Sequence, residues 1–163
     1  MSESKNPERV AIGSDHIGYV LKEEIISFLQ ETGIEYIDVG ASSSERTDYP
    51  LYAKLVANLI NSGQAELGIL ICGTGVGMSI SANKIPGIRA VVCSEAYSAE
   101  FARRHNNANV LCFGSRVVAG GLARTLIKAF LSAAYEGGRH ACRVDMINAL
   151  EAEAFLAEKG TQH

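Results

Sequence analysis

A thiol and a glycine-rich turn follow one apolar stretch of the chain. Cys72 directly precedes a turn that opens a predicted helix and reads Gly73-Thr74-Gly75-Val76-Gly77. The N–H groups at a helix start attract negative charge, and glycines let a ligand approach the backbone closely. The same position favours the thiolate form of a cysteine, which is the form that acts as base or nucleophile. The segment therefore predicts an anion site beside a reactive thiol, and a packing turn with an inert buried cysteine is the alternative.

Other polar residues at predicted strand and helix ends suit the same chemistry. Guanidinium groups donate paired hydrogen bonds to phosphate, and imidazole gains or loses a proton near neutral pH. Structural helix-end histidines and a solvated arginine face are the alternatives. Together these groups predict a small anionic substrate handled without a metal; they are Asp15, His16, His105, Asn106, Arg116, Arg139 and Arg143.

The motifs of nucleotide cofactors and metals do not match. A dinucleotide fingerprint has glycine where Met78 stands and lies in the first strand–helix turn, whereas this turn follows the third predicted strand. A P-loop needs Gly-Lys-Ser/Thr at the helix start, which is absent. Zinc and disulfide-exchange sites use closely paired cysteines, but the four cysteines here lie far apart, at Cys72, Cys93, Cys112 and Cys142. No cofactor and no metal are expected.

Composition excludes several classes of protein. The 163 residues predict a single domain, 1–163, with a polar N-terminal extension at 1–8. Fifteen Lys and Arg against 18 Asp and Glu leave a net charge of −3, so no global field attracts nucleic acid or an anionic membrane. No apolar run is long enough for a membrane span, and no apolar signal segment opens the sequence. A cytoplasmic protein is expected.

Short apolar runs alternate with amphipathic stretches along the chain. Several of the runs are apolar throughout, which is typical of parallel strands covered on both faces. The predicted strands are 9–13, 34–39, 67–71, 88–92 and 109–113, and the predicted helices are 17–29, 50–62, 75–83, 96–104, 120–134 and 143–158. This order predicts an α/β fold with a doubly wound sheet, in which ligands lie beyond the carboxyl ends of the strands.

Two helix faces carry further predictions. On the first helix, Val20 belongs to the apolar face, and Gly33 ends the helix. On the last helix, the apolar residues cover about half of the circumference, which favours docking on a second subunit. The alternative is that this helix closes the chain's own core. The apolar residues of the last helix are Val144, Met146, Ile147, Leu150, Ala154 and Phe155.

Five segments in a fixed order carry a family resemblance. They are Gly13-Ser14-Asp15-His16, the run from Ser43 to Pro50, the run from Cys72 to Gly77, Arg103-Arg104-His105-Asn106 and the run from Glu136 to His140. This series resembles the ribose/galactose isomerase family, in its cysteine-containing ribose-5-phosphate isomerase B branch, over about 10–150. The resemblance implies a three-layer α/β/α Rossmann-like fold with a five-stranded parallel sheet, and a homodimer with the extra C-terminal helix at its interface. Pairing of dimers into tetramers stays open.

The resemblance also implies a reaction, which is the metal-free interconversion of ribose 5-phosphate and ribulose 5-phosphate through a cis-enediolate. Cys72 would be the base, Thr74 would exchange protons between the substrate oxygens, and His105 would open the furanose ring. The remaining residues would bind the substrate, with residues of both subunits in each site. Gly73, Gly75 and Gly77 would hold the enediolate, His16, Arg139 and Arg143 the phosphate, and Asp15, Asn106 and Arg116 would line the pocket.

Other functions remain to be separated from this one. The relatives that act on galactose 6-phosphate divide their sites between two components, whereas this chain carries the complete residue set. Allose 6-phosphate differs by one carbon and stays open as a substrate. A binding module without chemistry is a further alternative, although binding alone would not require Cys72, Thr74 and His105 together.

Overall fold

The computed structural model describes residues 7–160, apart from the side chains of 155 and 157–160. Strands and helices alternate as the sequence predicts, and a final helix follows the last unit. The elements are β1 (Val10–Ser14), α1 (Tyr19–Glu31), β2 (Tyr36–Asp38), α2 (Tyr49–Asn61), β3 (Leu67–Cys72), α3 (Val76–Ala82), β4 (Ala90–Val92), α4 (Ala96–Asn106), β5 (Val110–Gly114), α5 (Gly120–Ser132) and α6 (Arg139–Gly160).

The five strands form one parallel sheet in the order β2-β1-β3-β5-β4. Every residue of β1, β3 and β5 is buried, because helices cover both faces of the sheet. One core packs α1, α4 and α5 against one face, and a second packs α2 and α3 against the other. The predicted three-layer α/β/α fold is confirmed. Since β1, β3 and β5 are neighbours, the polar residues after each of them meet at the carboxyl ends of these strands, which we call the carboxyl edge of the sheet.

Strand and helix ends differ from the predicted ones in a few places. The edge strands β2 and β4 have only three residues each, because a strand at an edge has hydrogen-bonding partners on one side alone. Helix α6 begins at Arg139, four residues earlier than predicted. Gly137 and Gly138 both have positive φ, so the chain completes its turn at these two residues and enters the helix at once.

Helix α1 shows both a correct and a wrong prediction. Gly33 ends the helix at φ +70°, with its N–H bonded to the Gln30 carbonyl and that of Ile34 bonded to the Leu29 carbonyl. Val20 was predicted on the apolar face, but it is 72% exposed. Lys22 is buried on this helix instead, which a pattern based on polarity cannot foresee because the long side chain packs along its methylene groups.

The buried ammonium group of Lys22 forms an ion pair with Asp38, and it lies 3.0 Å from the Glu23 carboxylate. Burial opposes the charge of Lys22, but the hydrogen bonds to both carboxylates outweigh it and raise its pKa. Asp38 also accepts the N–H of Gly40 at 2.8 Å. This cluster therefore anchors the loop after β2.

Helix α6 leaves most of its described apolar side chains on the surface. Val144 is buried, but Met146, Ile147, Leu150 and Ala154 are exposed, and Phe155 lies outside the described side chains. The alternative that this helix closes the chain's own core is therefore wrong for the exposed four. Among the described residues, no helix is both long and apolar enough to cross a bilayer.

Candidate active site

The thiol of Cys72 lies at the carboxyl end of β3 and is almost fully buried. The N–H of Gly75 donates a hydrogen bond to its Sγ at 3.1 Å, and α3 starts at the next residue. Gly75 has φ +81°, and a Cβ atom there would lie 2.8 Å from the backbone of Phe113. Glycine is therefore required at this position. The hydrogen bond favours negative charge on the sulfur, as a base requires.

The rest of the glycine turn packs tightly between its neighbours. A Cβ atom on Gly77 would lie 2.7 Å from the ring of Tyr49, and one on Gly114 would lie 2.4 Å from Cα of Thr74. The Thr74 hydroxyl accepts the N–H of Val76 at 3.3 Å and belongs to an exposed residue. The turn is thus tightly packed, and the Thr74 hydroxyl lies at its surface.

Arg116 contacts the glycine turn from the end of β5. Its N–H donates to the Gly73 carbonyl at 3.1 Å, and its Nη1 lies 3.8 Å from the position of a Cβ atom on Gly73. The residue is exposed, so its charge is available beside the glycine turn. The structure therefore brings Arg116 and Cys72 to the same edge of the sheet, as predicted.

Asp15 and His16 lie at the same edge, after β1. Oδ1 of Asp15 accepts the N–H groups of Ile17 and Gly18, both at 3.0 Å, so this buried carboxylate shapes the entry to α1. Nδ1 of His16 lies 3.1 Å from the carbonyl oxygen of Thr47 and 3.3 Å from its amide nitrogen. The contact with the loop before α2 holds the ring and leaves Nε2 for a ligand.

A second group of predicted residues lies on the opposite side of the sheet, at the amino ends of the strands. His105 and Asn106 end α4 just before β5 begins, and β5 is parallel to β3 with Val110 opposite Gly68 and Gly114 opposite Cys72. Four residue steps of a strand span about 13 Å. Within one chain, His105 and Cys72 are therefore separated by about the length of a strand. Arg139 and Arg143 are exposed residues in the first turns of α6, and they belong to this second group.

His105 belongs to a compact cluster that the sequence did not reveal. Its ring stacks on that of His140, with centroids 3.9 Å apart and planes inclined by 9°. Glu136 Oε2 lies 3.6 Å from Nε2 of His105 and 3.7 Å from Nε2 of His140. Only the four-residue spacing of Glu136 and His140 hinted at this contact, and many surface pairs share that spacing.

His140 is buried in this cluster. Burial lowers its pKa, and the charges of His105 and Arg139 lower it in the same direction. Nε of Arg139 also donates to Nε2 of His140 at 3.4 Å. His140 is therefore neutral at neutral pH, with Nε2 as the acceptor.

A family model now bears on these two groups. The model described as Ribose/Galactose Isomerase matches residues 10–147, which include every residue named in the two groups. The chain belongs to the Ribose/Galactose Isomerase family. This family membership turns the predicted resemblance into a finding.

Individual members of the ribose/galactose isomerase family are similar over most of their length. The chain is 58% identical over 144 residues to ribose-5-phosphate isomerase B of Escherichia coli (strain K12), covering 88% of this chain and 97% of that one. It is 43% identical over 143 residues to D-erythrulose-4-phosphate isomerase of Pectobacterium atrosepticum, covering 87% and 94%. The solved ribose-5-phosphate isomerase B of Clostridium thermocellum superposes with a TM-score of 0.88 at 49% identity, covering 90% and 99%.

The cluster around Glu136 has the side-chain types of a metal site. Ligand atoms of His105, Glu136 and His140 all lie within 4.8 Å of one another. However, Arg104 forms an ion pair with Glu136 at 2.5 Å, and Arg139 contacts His140. These cations offset the carboxylate charge and repel a metal ion, so the cluster favours hydrogen bonding between carboxylate and imidazole.

Two of the other three thiols of this isomerase, Cys93 and Cys112, suit a structural role. Burial, with the nearby Glu95 carboxylate, raises the pKa of Cys93 to about 11. Full burial and the neighbouring thiols raise the pKa of Cys112 well above its usual range. Cys142 is exposed on α6. The predicted assignment of chemistry to Cys72 alone is consistent with these environments.

Alkylation should distinguish the four thiols. With iodoacetamide at about pH 8, we expect Cys142 to react first and Cys72 to react next, and ribose 5-phosphate should slow Cys72 alone. Cys93 and Cys112 should stay unmodified, because burial keeps both protonated. Mass spectrometry of peptides over time measures each rate. Modification of Cys93 or Cys112 as fast as that of Cys142 would contradict this expectation.

Proposed function

We propose that this isomerase interconverts D-ribose 5-phosphate and D-ribulose 5-phosphate through a cis-enediolate, without metal or cofactor. The observation that carries the proposal is the Cys72 thiol, which accepts the Gly75 N–H at the start of α3 beside the glycine turn. The 58% identity to the Escherichia coli enzyme supports the choice of a pentose phosphate. In this proposal the protein is a single domain that acts in the cytoplasm. Its reaction belongs to the non-oxidative branch of the pentose phosphate pathway.

Proton transfer is assigned to the carboxyl edge of the sheet. The Cys72 thiolate takes the proton from C2 of the open aldose and returns it to C1, while Thr74 moves the hydroxyl proton from O2 to O1. Negative charge develops on oxygen in between, and the turn of Gly73, Gly75 and Gly77 would hold it through its backbone N–H groups other than that of Gly75, which donates to the Cys72 sulfur. One well-placed donor of this kind is worth about 2.7–4 kcal/mol in the transition state.

Ring opening is assigned to the other group. Ribose 5-phosphate is closed through a bond between C1 and O4, which must break before C2 can lose its proton. His105 would accept the proton of the C1 hydroxyl, and a water molecule would supply the proton that O4 gains as the C1–O4 bond breaks. Asn106 and Arg116 would line the pocket. His16, Arg139 and Arg143 would hold the phosphate, whose binding energy fixes C1 and C2 against the sulfur.

A homodimer would bring the two groups together. One chain keeps them about a strand length apart, whereas a five-carbon sugar must reach both. A set of exposed apolar side chains on the elements beside the glycine turn supports a partner there, since exposed apolar patches mark interfaces. It comprises Leu51 and Leu55 on α2, Val76 and Ile80 on α3, Val92 on β4 and Tyr97 on α4. In a two-fold dimer each site would take Cys72 from one subunit and His105 from the other, and α6 would add to the interface.

Substrate preference tests the proposed reaction. Purified protein with a chelator present should convert ribose 5-phosphate to ribulose 5-phosphate with a kcat of about 1–10³ s⁻¹. Allose 6-phosphate and D-erythrose 4-phosphate are assayed beside it, the second because one relative is named for the four-carbon ketose. Activity confined to one of these would move the assignment to that sugar. Binding of all three without turnover would favour a module without chemistry.

A further inference from the structure

We propose that Glu136 and His140 are positioning residues that orient the His105 imidazole for ring opening. The inference rests on the proposed function and goes beyond it, because neither residue would touch the sugar. His105 is held between two rings: Phe101 meets it edge-on, with centroids 4.8 Å apart, and His140 stacks on it at 3.9 Å. The ring plane of His105 is therefore set by its neighbours.

The carboxylate of Glu136 is itself held firmly. Arg104 donates from Nε to Oε1 of Glu136 at 2.6 Å, and it also donates to Glu100 at 2.8 Å. The N–H of Glu136 donates to the Arg104 carbonyl at 3.0 Å. The hydrogen bond from Arg104 also lowers the pKa of Glu136, so the group is ionised at neutral pH. One oxygen of Glu136 is thus committed to Arg104, and the other faces the two imidazoles.

The geometry leaves Oε2 of Glu136 as a hydrogen-bond acceptor for His105 and not for His140. Nε2 of His140 already accepts a hydrogen bond from Arg139, so His140 has no proton on that atom to offer the carboxylate. Nε2 of His105 lies 3.6 Å from Oε2, a distance that commonly shortens when substrate binds. A carboxylate that accepts the proton of Nε2 fixes the tautomer in which Nδ1 is unprotonated. Nδ1 of His105 is then the atom that takes the proton from the C1 hydroxyl.

His140 contributes by staying neutral. Burial and the charges of His105 and Arg139 lower its pKa, so it does not place a second positive charge against His105. The charged groups facing His105 are then Glu136, with Arg104 behind it, and Arg139 beyond His140. Protonation of His105 during ring opening is stabilised by the carboxylate that also orients it.

The test uses Glu136→Gln, with Glu100→Gln as the matched control on the other side of Arg104. Loss of a carboxylate that orients a metal-bound histidine costs about 10–100-fold, and we expect a loss of similar size in kcat for ribose 5-phosphate. Glu100→Gln should leave the rate within about threefold of the starting protein, because Glu100 does not contact His105.

Reactions without a ring separate positioning of His105 from general damage. Ribulose 5-phosphate cannot close a furanose ring, because its O5 carries the phosphate, and neither can D-erythrose 4-phosphate, whose O4 carries it. Deuterium exchange at C1 of ribulose 5-phosphate in D₂O and isomerisation of D-erythrose 4-phosphate should therefore be retained by Glu136→Gln. His140→Phe should keep most of the ribose 5-phosphate rate, because it retains a stacked ring, whereas His140→Ala should lose it.

Three results would overturn the inference. They are an unchanged rate on ribose 5-phosphate in Glu136→Gln, an equal loss on cyclic and acyclic substrates, and equal rates for His140→Ala and His140→Phe. Failure of the proposed function is recognised separately, because the unaltered protein would then isomerise neither ribose 5-phosphate nor ribulose 5-phosphate.

Discussion

Replacing Cys72 by alanine is expected to lower kcat for ribose 5-phosphate by a factor on the order of 10³, because a positioned general base commonly contributes 10²–10⁴-fold. Neither of the other buried thiols can substitute. Cys93 and Cys112 stay protonated because burial raises their pKa values, and Cys142 lies on α6. Affinity for ribose 5-phosphate should change little, since the assigned phosphate ligands are untouched. Steady-state kinetics and isothermal titration calorimetry measure the two effects.

A matched variant separates chemistry from packing. Cys112→Ala removes a fully buried thiol from the neighbouring strand β5, in the same core cluster as Cys72. It should lower the free energy of unfolding by about 1 kcal/mol and leave kcat nearly unchanged. If Cys72→Ala kept a kcat within tenfold of the unaltered protein, Cys72 would not be the base and the proton transfer would belong to another group.

Hybrid dimers are expected to regain activity from two inactive subunits. Cys72→Ala lacks the assigned base at the carboxyl edge, and His105→Asn lacks the assigned ring-opening group at the amino edge. If each site takes one group from each subunit, a hybrid dimer has one intact site and one site with both defects. Hybrids purified through two different affinity tags should therefore show about half of the activity of the unaltered dimer.

The control for this experiment is a hybrid of Cys72→Ala with Arg116→Ala. Both residues lie at the same edge of one chain, with the Arg116 backbone bonded to Gly73. Cys72 and Arg116 of one subunit would serve the same site. In that hybrid, one site therefore lacks Cys72 and the other lacks Arg116. No recovery is expected. Recovery there, or none with His105→Asn, would contradict a site shared across the interface in this way.

The sequence predicted the fold well because its signals are local. Fully apolar runs at β1, β3 and β5 indicated strands covered on both faces, and helices do cover both. Gly33 ended α1 as predicted. The short edge strands β2 and β4 were predicted too long, because the sequence does not show which strands lack a neighbour on one side.

The site was predicted in part. Residues at or just after the carboxyl ends of strands, such as Cys72 and Arg116, meet because neighbouring parallel strands end on the same side of the sheet. Glu136 and His140 were missed as members of the site, because they reach His105 only through the docking of α6 and the loop before it on the end of α4. Lys22 was missed for a similar reason, since its burial depends on Asp38, which lies 16 residues away in β2.

The sequence by itself determined the element order, the parallel sheet and the glycine-rich turn next to a thiol, because hydrophobic period, glycine positions and strand ends are properties of neighbouring residues. Only the tertiary structure decided that the chemistry-bearing residues form two groups at opposite edges, with an exposed apolar surface beside one of them. It also decided which groups surround His105. These outcomes depend on contacts between residues that are distant in the chain, and no local pattern encodes such contacts.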